Sequence, residues 1–161
     1  WTMGIETERK FLVKNDDWKK DKTRGLWCCQ SYIAEDATSL IRVRIVGEKG
    51  FLTIKKRREG LSRYEYEYEI PLCDAREMLN RICRYPVIEK TRYDVLYGGL
   101  LWEIDVFEGP NRGLTVAEIE LNDETEEIIK PPWLGMEVTD DPRYLNVNLA
   151  KHPYQLWSWR D

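Results

Sequence analysis

Glu6, Glu8 and Lys10 alternate in the segment Gly4-Ile5-Glu6-Thr7-Glu8-Arg9-Lys10-Phe11. A β-strand repeats every two residues, so two carboxylates and an ammonium share one face, while Ile5, Phe11 and Val13 share the other. A charged face is usually only a wet face, but here the division recurs with its signs sorted. Arg42/Arg44, Lys55/Arg57 and Lys90/Arg92 present cations, whereas Glu65/Glu67/Glu69, Glu103/Asp105 and Glu118/Glu120 present anions. Solubilising surfaces mix signs, and same-sign clusters repel themselves unless a ligand offsets them. Carboxylates clustered without histidine or thiol are hard oxygen donors suited to Mg²⁺ or Mn²⁺. Clustered arginine and lysine suit phosphate. A site holding both sets fits a chain of phosphates bridged to divalent cations.

These residues need elements to position them. Ile41/Val43/Ile45 oppose Arg42/Arg44, and Leu52/Ile54 oppose Lys55. Tyr64/Tyr66/Tyr68/Ile70 oppose the glutamates between them. Val87–Val95, Trp102–Val106 and Ala117–Leu121 alternate in the same way, and Gln30–Ile33 is a shorter example. Gly47-Glu48-Lys49-Gly50, Gly98-Gly99 and Gly109–Gly113 are turn signals too short for parallel crossovers, which predicts an antiparallel meander. Three helices are expected. One has Asp74 as N-cap and Glu77 completing a capping box, with Met78, Leu79, Ile82 and Cys83 as its apolar stripe. The second runs from Asp123 to Lys130 and is stopped by Pro131-Pro132, and a short third lies within Pro142–Ala150. Two arrangements follow for the charged faces: an open sheet with a solvated face, or a sheet closed into a barrel with the charges in its lumen. Sign sorting favours the barrel.

The 161 residues suit one domain, spanning 3–157. Trp1 and Thr2 precede Met3, which reads as the natural start, so they are taken as an added remnant. A net charge of -4 gives no global field for nucleic acid or membrane. Neither a bilayer-spanning stretch nor a signal peptide is evident. Cys28, Cys29, Cys73 and Cys83 include no CxxC pair, and His152 is the one histidine, which argues against a zinc site and for reduced thiols in the cytoplasm. The oligomeric state is open, with a homodimer as one alternative.

The chain resembles the CYTH domain, or triphosphate tunnel metalloenzymes. Glu6-Thr7-Glu8-Arg9-Lys10-Phe11 is similar to the family's ExExK motif, with Thr7 where an aliphatic residue is commoner. The likeness continues through Gln30-Ser31-Tyr32, Arg42-Val43-Arg44, Leu52-Thr53-Ile54-Lys55, Glu65–Pro71, Lys90-Thr91-Arg92, Trp102–Phe107, Ala117–Leu121 and Pro132–Thr139. The resemblance implies an α+β fold: a closed, eight-stranded antiparallel tunnel with a charged lumen and helices packed outside. It also implies a hydrolase that binds triphosphate and divalent metal. Short bacterial members are most often tripolyphosphatases.

Under that resemblance Glu6, Glu8, Glu118 and Glu120 are expected metal ligands, with Asp105 next and Glu65 after it. Arg42, Arg44, Lys55, Lys90 and Arg92 are expected to hold the phosphate chain, with Arg57 a weaker candidate in a charge run. Lys10 is assigned to the transferred phosphoryl group, with Tyr32 either contacting Lys10 and tuning its pKa or serving as a packed aromatic whose hydroxyl is hydrogen-bonded elsewhere. Glu67 is expected near the attacking water, with metal binding or neutralising a neighbouring arginine as alternatives it shares with Glu65; Glu69 is a rim charge and Glu103 is ambiguous. The alternative for the cations is cross-strand pairing with the glutamates. A nucleoside triphosphatase, an adenylate cyclase and a non-catalytic polyphosphate or nucleotide binder remain open, whereas a nucleic-acid partner is not expected.

Overall fold

The structure is a computed structural model that describes residues 4–158; Trp1 and Thr2 lie outside those residues. Its strands are β1 (Ile5–Val13), β2 (Leu26–Glu35), β3 (Ser39–Val46), β4 (Lys49–Arg57), β5 (Ser62–Ile70), β6 (Ile88–Tyr97), β7 (Leu100–Phe107), β8 (Thr115–Glu120) and β9 (Leu134–Glu137). The strand order is β5-β4-β3-β2-β6-β7-β8-β1, and β1 pairs back onto β5, closing eight strands into a ring. Every pairing is antiparallel. The closing seam is short: Ile5, Glu6 and Thr7 face Tyr64, Arg63 and Ser62. Thr7 is buried there, its hydroxyl 2.8 Å from that of Ser62. Its departure from an aliphatic residue thus becomes a seam hydrogen bond. Gly98 and Gly99, with φ of 60° and 77°, make the two-residue turn between β6 and β7.

Three apolar clusters hold the ring. Phe11, Trp102, Ile104 and Ile119 project outward from β1, β7 and β8 and are covered by Trp18 and Trp133. Val43 and Ile45 of β3 are covered by α1 (Leu72–Arg81) through Ala75, Met78 and Leu79. The third cluster fills one end of the bore. Leu12, Ile88, Phe107 and Val116 share the parity of the lumen charges, yet they pack against Tyr144, Trp157 and the second helix, α2 (Asn146–Lys151). The C-terminal segment therefore stoppers that end.

Several helix expectations need correction. The capping box at Asp74 does not form, because α1 begins two residues earlier, at Leu72, with Pro71 in the cap position. Leu72 joins the core, so burial sets this boundary. Ile82 is half exposed just past the helix end rather than part of the stripe. Asp123–Lys130 is not helical. Asp123 instead accepts hydrogen bonds from the amide and hydroxyl of Thr125. Such a local turn competes with a helix that has little apolar face to bury. Pro142–Ala150 divides into a 3-10 turn, Pro142–Tyr144, and α2, with extended Leu145 between them. α1 covers only the Leu52 and Ile70 end of the outer face of β4 and β5; further along, Ile54, Tyr64, Tyr66 and Tyr68 are all more than 40% exposed.

Candidate active site

Around the ring the lumen charges form two arcs. β7, β8, β1 and β5 are consecutive and carry Glu103, Asp105, Glu118, Glu120, Glu6, Glu8, Glu65 and Glu67. β4, β3, β2 and β6 complete the ring and carry Lys55, Arg42, Arg44, Lys90 and Arg92, with neutral Gln30 and Tyr32 on β2. Lys10 and Arg63 are the cations set into the acidic arc. The arcs enclose a cavity of about 370 Å³, bounded at the stoppered end by Leu145, Asn146 and Val147.

Strand register makes the acidic arc costly in isolation. Glu8 lies directly opposite Glu120, and Glu103 directly opposite Glu118. Like charges in directly opposed positions repel. Glu120 forms no ion pair among the described residues. Burial raises its carboxyl above the ordinary range, and Glu6, Glu103 and Glu8 push it further. Burial likewise raises Glu103 despite Arg92, with Glu118 and Asp105 adding to the shift. Glu6 goes the other way. Burial would raise it, but Lys55 and Arg63 bring it down to about 2.

Cations are interleaved with these acids. Lys10 Nζ is 3.5 Å from Glu118 and donates to the carbonyl of Tyr144 at 3.0 Å. Lys55 Nζ lies 3.5 Å from Glu6 and 3.8 Å from Glu65. One nitrogen of Arg63, Nη2, bridges Glu6 at 2.9 Å and Glu8 at 2.8 Å. Among the described residues no three acidic, histidine or cysteine side chains converge into a ready-made metal cage. The carboxylates are present, but ammonium and guanidinium groups stand between them.

The cationic arc is propped from behind. Gln30 has no exposure; its Oε1 accepts from Arg44 Nε at 2.9 Å, and its Nε2 donates to the Tyr32 hydroxyl at 2.9 Å. Arg42 Nη2 donates to Thr53 and Glu67, each at 3.2 Å, while its buried Nε has no partner. Burial and neighbouring Arg44 lower Arg42 to about 10. Burial, with Arg42 and Arg63 adding, lowers Lys55 to about 7 against the pull of Glu6 and Glu8.

Of the residues singled out from the sequence, Glu6, Glu8, Lys10, Tyr32, Arg42, Arg44, Lys55, Glu65, Glu67, Arg92, Glu118 and Glu120 all line this cavity. Lys90 and Asp105 do not. They form a pair at 2.8 Å with no side-chain exposure, and both Asp105 oxygens also accept from Arg92. Arg57 is exposed and borders a neighbouring cleft with Lys56 and Lys151. Tyr32 is hydrogen-bonded to Gln30 rather than to Lys10, whose partners are Glu118 and Tyr144. Sequence reasoning passed over Arg63, although it shares the parity of Glu65 and Glu67. It also passed over Gln30 as a prop.

A closed antiparallel ring whose bore sets an acidic arc against a basic one defines a charged-tunnel fold. The chain belongs to the CYTH domain family, whose model matches residues 4–154. It is 50% identical over 153 residues to an inorganic triphosphatase of Acetivibrio thermocellus, covering 95% of this chain and 97% of that protein. It is 39% identical over 149 residues to an inorganic triphosphatase of Nitrosomonas europaea, covering 90% of this chain and 96% of the relative. A solved inorganic triphosphatase superposes with a TM-score of 0.64 at 36% identity, covering 90% of this chain and 93% of that one.

Proposed function

We propose that this chain hydrolyses inorganic tripolyphosphate to pyrophosphate and phosphate inside its bore, with Mg²⁺ or Mn²⁺ as cofactor. The observation that carries this reading is the pair of opposed arcs. Carboxylates directly opposite one another (Glu8 with Glu120, Glu103 with Glu118) face Arg42, Arg44 and Lys55 across one cavity. A lone phosphate would not need so many cations, and a cation-free ligand would leave the acids unbalanced. The family membership and the names of the relatives point the same way.

The donor set fits a hard divalent cation, because Glu6, Glu8, Glu118 and Glu120 offer carboxylate oxygens only. When bound, that cation would offset phosphate charge and polarise water. Arg42, Arg44 and Lys55, which line the cavity, would grip the phosphate chain. Lys10 would transfer its hydrogen bond from Tyr144 to the departing phosphoryl group, stabilising charge as it develops. Glu67 shares Thr53 with Arg42, which makes it an orienting group for that guanidinium. Lys90 and Asp105 would act through Arg92, which they hold in the wall. No helix among the described residues is long and apolar enough to cross a membrane. The four free cysteines fit a cytoplasmic site of action.

The test is product analysis with tripolyphosphate and ATP side by side in Mg²⁺ or Mn²⁺. Faster phosphate release from tripolyphosphate is expected. Cyclic AMP and pyrophosphate from ATP, or binding with no turnover of either compound, would overturn the assignment.

A further inference from the structure

The position between Glu6 and Glu8 is held by a side chain. Arg63 Nη2 stands 2.9 Å from Glu6 Oε1 and 2.8 Å from Glu8 Oε1, so a single nitrogen serves two carboxylates. The backbone places it there, because Arg63 lies opposite Glu6 on the three-pair seam that closes the ring. Its side chain is nevertheless 23% exposed, and it borders both the central cavity and the cleft beside the β2–β3 turn. It therefore has open volume to move into. Lys55 sits 3.5 Å from the other oxygen of Glu6 and would remain there if Arg63 left.

We propose that Arg63 is a built-in competitor for the divalent cation, a positioning residue that occupies the Glu6–Glu8 pair in the free protein. Cation binding displaces it toward the phosphate chain. This rests on the reading of Glu6 and Glu8 as metal ligands. Two consequences follow. The free protein binds divalent cation weakly, because the guanidinium must first be expelled. Cation and polyphosphate then bind cooperatively, because the released guanidinium gains an anionic partner.

The experiment measures Mn²⁺ binding by calorimetry or electron paramagnetic resonance without polyphosphate, for wild type, Arg63→Met, Arg63→Lys and Arg44→Met. Arg44 is a cavity arginine bonded to Gln30 rather than to a carboxylate, so Arg44→Met controls for the loss of one positive charge. Arg63→Met is expected to bind Mn²⁺ about tenfold tighter than wild type, Arg63→Lys to lie between them, and Arg44→Met to change by no more than about twofold. A change in Arg63→Met no larger than that in Arg44→Met would overturn the proposal while leaving the metal ligands intact. Absence of Mn²⁺ binding in all four proteins would remove the metal assignment and this proposal with it. Wild type alone supplies an independent readout: Mg²⁺ should convert the Arg63 guanidinium ¹⁵N–¹H resonances from restricted to freely rotating. Resonances unmoved by saturating Mg²⁺ would contradict the displacement.

Discussion

Lys90 Nζ lies 2.8 Å from Asp105 Oδ2, and neither side chain reaches solvent. Arg92 completes the group, donating from Nε at 2.7 Å and Nη2 at 2.9 Å to the same carboxylate. Burial would raise Asp105, but Arg92 and Lys90 hold it far below the ordinary carboxylate range. The cluster ties β6 to β7 behind the cavity wall.

Removing one member strands the others. Asp105→Ala is expected to destabilise the fold by about 3–5 kcal/mol, the scale for breaking a buried ion pair. Urea unfolding checks this against Glu120→Ala, whose exposed carboxylate is repelled by Glu6, Glu103 and Glu8 and whose loss should not destabilise the fold. Equal midpoints for the two variants would place Asp105 among the exposed ligands rather than in the scaffold.

Gln30 is a prop of the same kind for the cationic arc. Gln30→Leu leaves the Tyr32 hydroxyl and Arg44 Nε without their partner. A stability loss of about 1–3 kcal/mol is expected for unsatisfied buried groups. The proposed grip of Arg44 on phosphate adds a second consequence, a rise in KM for tripolyphosphate larger than the fall in kcat. A fall confined to kcat would put Gln30 in the chemistry instead.

Much of this arrangement could be read from the sequence, because strand parity alone separates Arg42/Arg44 and Glu118/Glu120 from their apolar neighbours. Parity does not report depth along the bore. Lys90 and Asp105 face inward as expected, yet they lie beneath Arg92, outside the cavity. Lumen parity also continues into Leu12, Ile88 and Phe107, where the bore is filled by the C-terminal segment. That filling depends on contacts more than 40 residues apart in the chain, such as the Tyr154 amide on Asn111. Arg63 was within reach of the same parity argument, because it precedes Glu65 by two. β9 is only four residues long and gives too short a pattern to register.

The β2–β3 turn supplies a pH prediction. Asp36 accepts from the amides and hydroxyls of Thr38 and Ser39. The Thr38 amide is the largest influence and the Ser39 hydroxyl the next, and its carboxyl is lowered from 3.8 to about 2. A carboxylate lowered on folding contributes in full above its unfolded value and is lost as pH falls through its folded one. The Thr38 and Ser39 amide resonances should therefore titrate together with a midpoint near 2. In Asp36→Ala the transition should vanish. A midpoint at the ordinary aspartate value would mean that the turn hydrogen bonds do not form in solution.

A carboxylate arc that holds a cation against phosphates gripped by the basic arc makes turnover depend on both the metal and the acids. The decisive measurement is phosphate release from tripolyphosphate with Mg²⁺ or Mn²⁺ and again in excess chelator, for wild type and for folded Glu8→Gln and Glu120→Gln. Turnover is expected to disappear with chelator and to fall at least about 100-fold in each variant, the scale for losing a preorganised electrostatic group. Chelator-resistant turnover, or near-normal rates in both variants, would contradict that dependence.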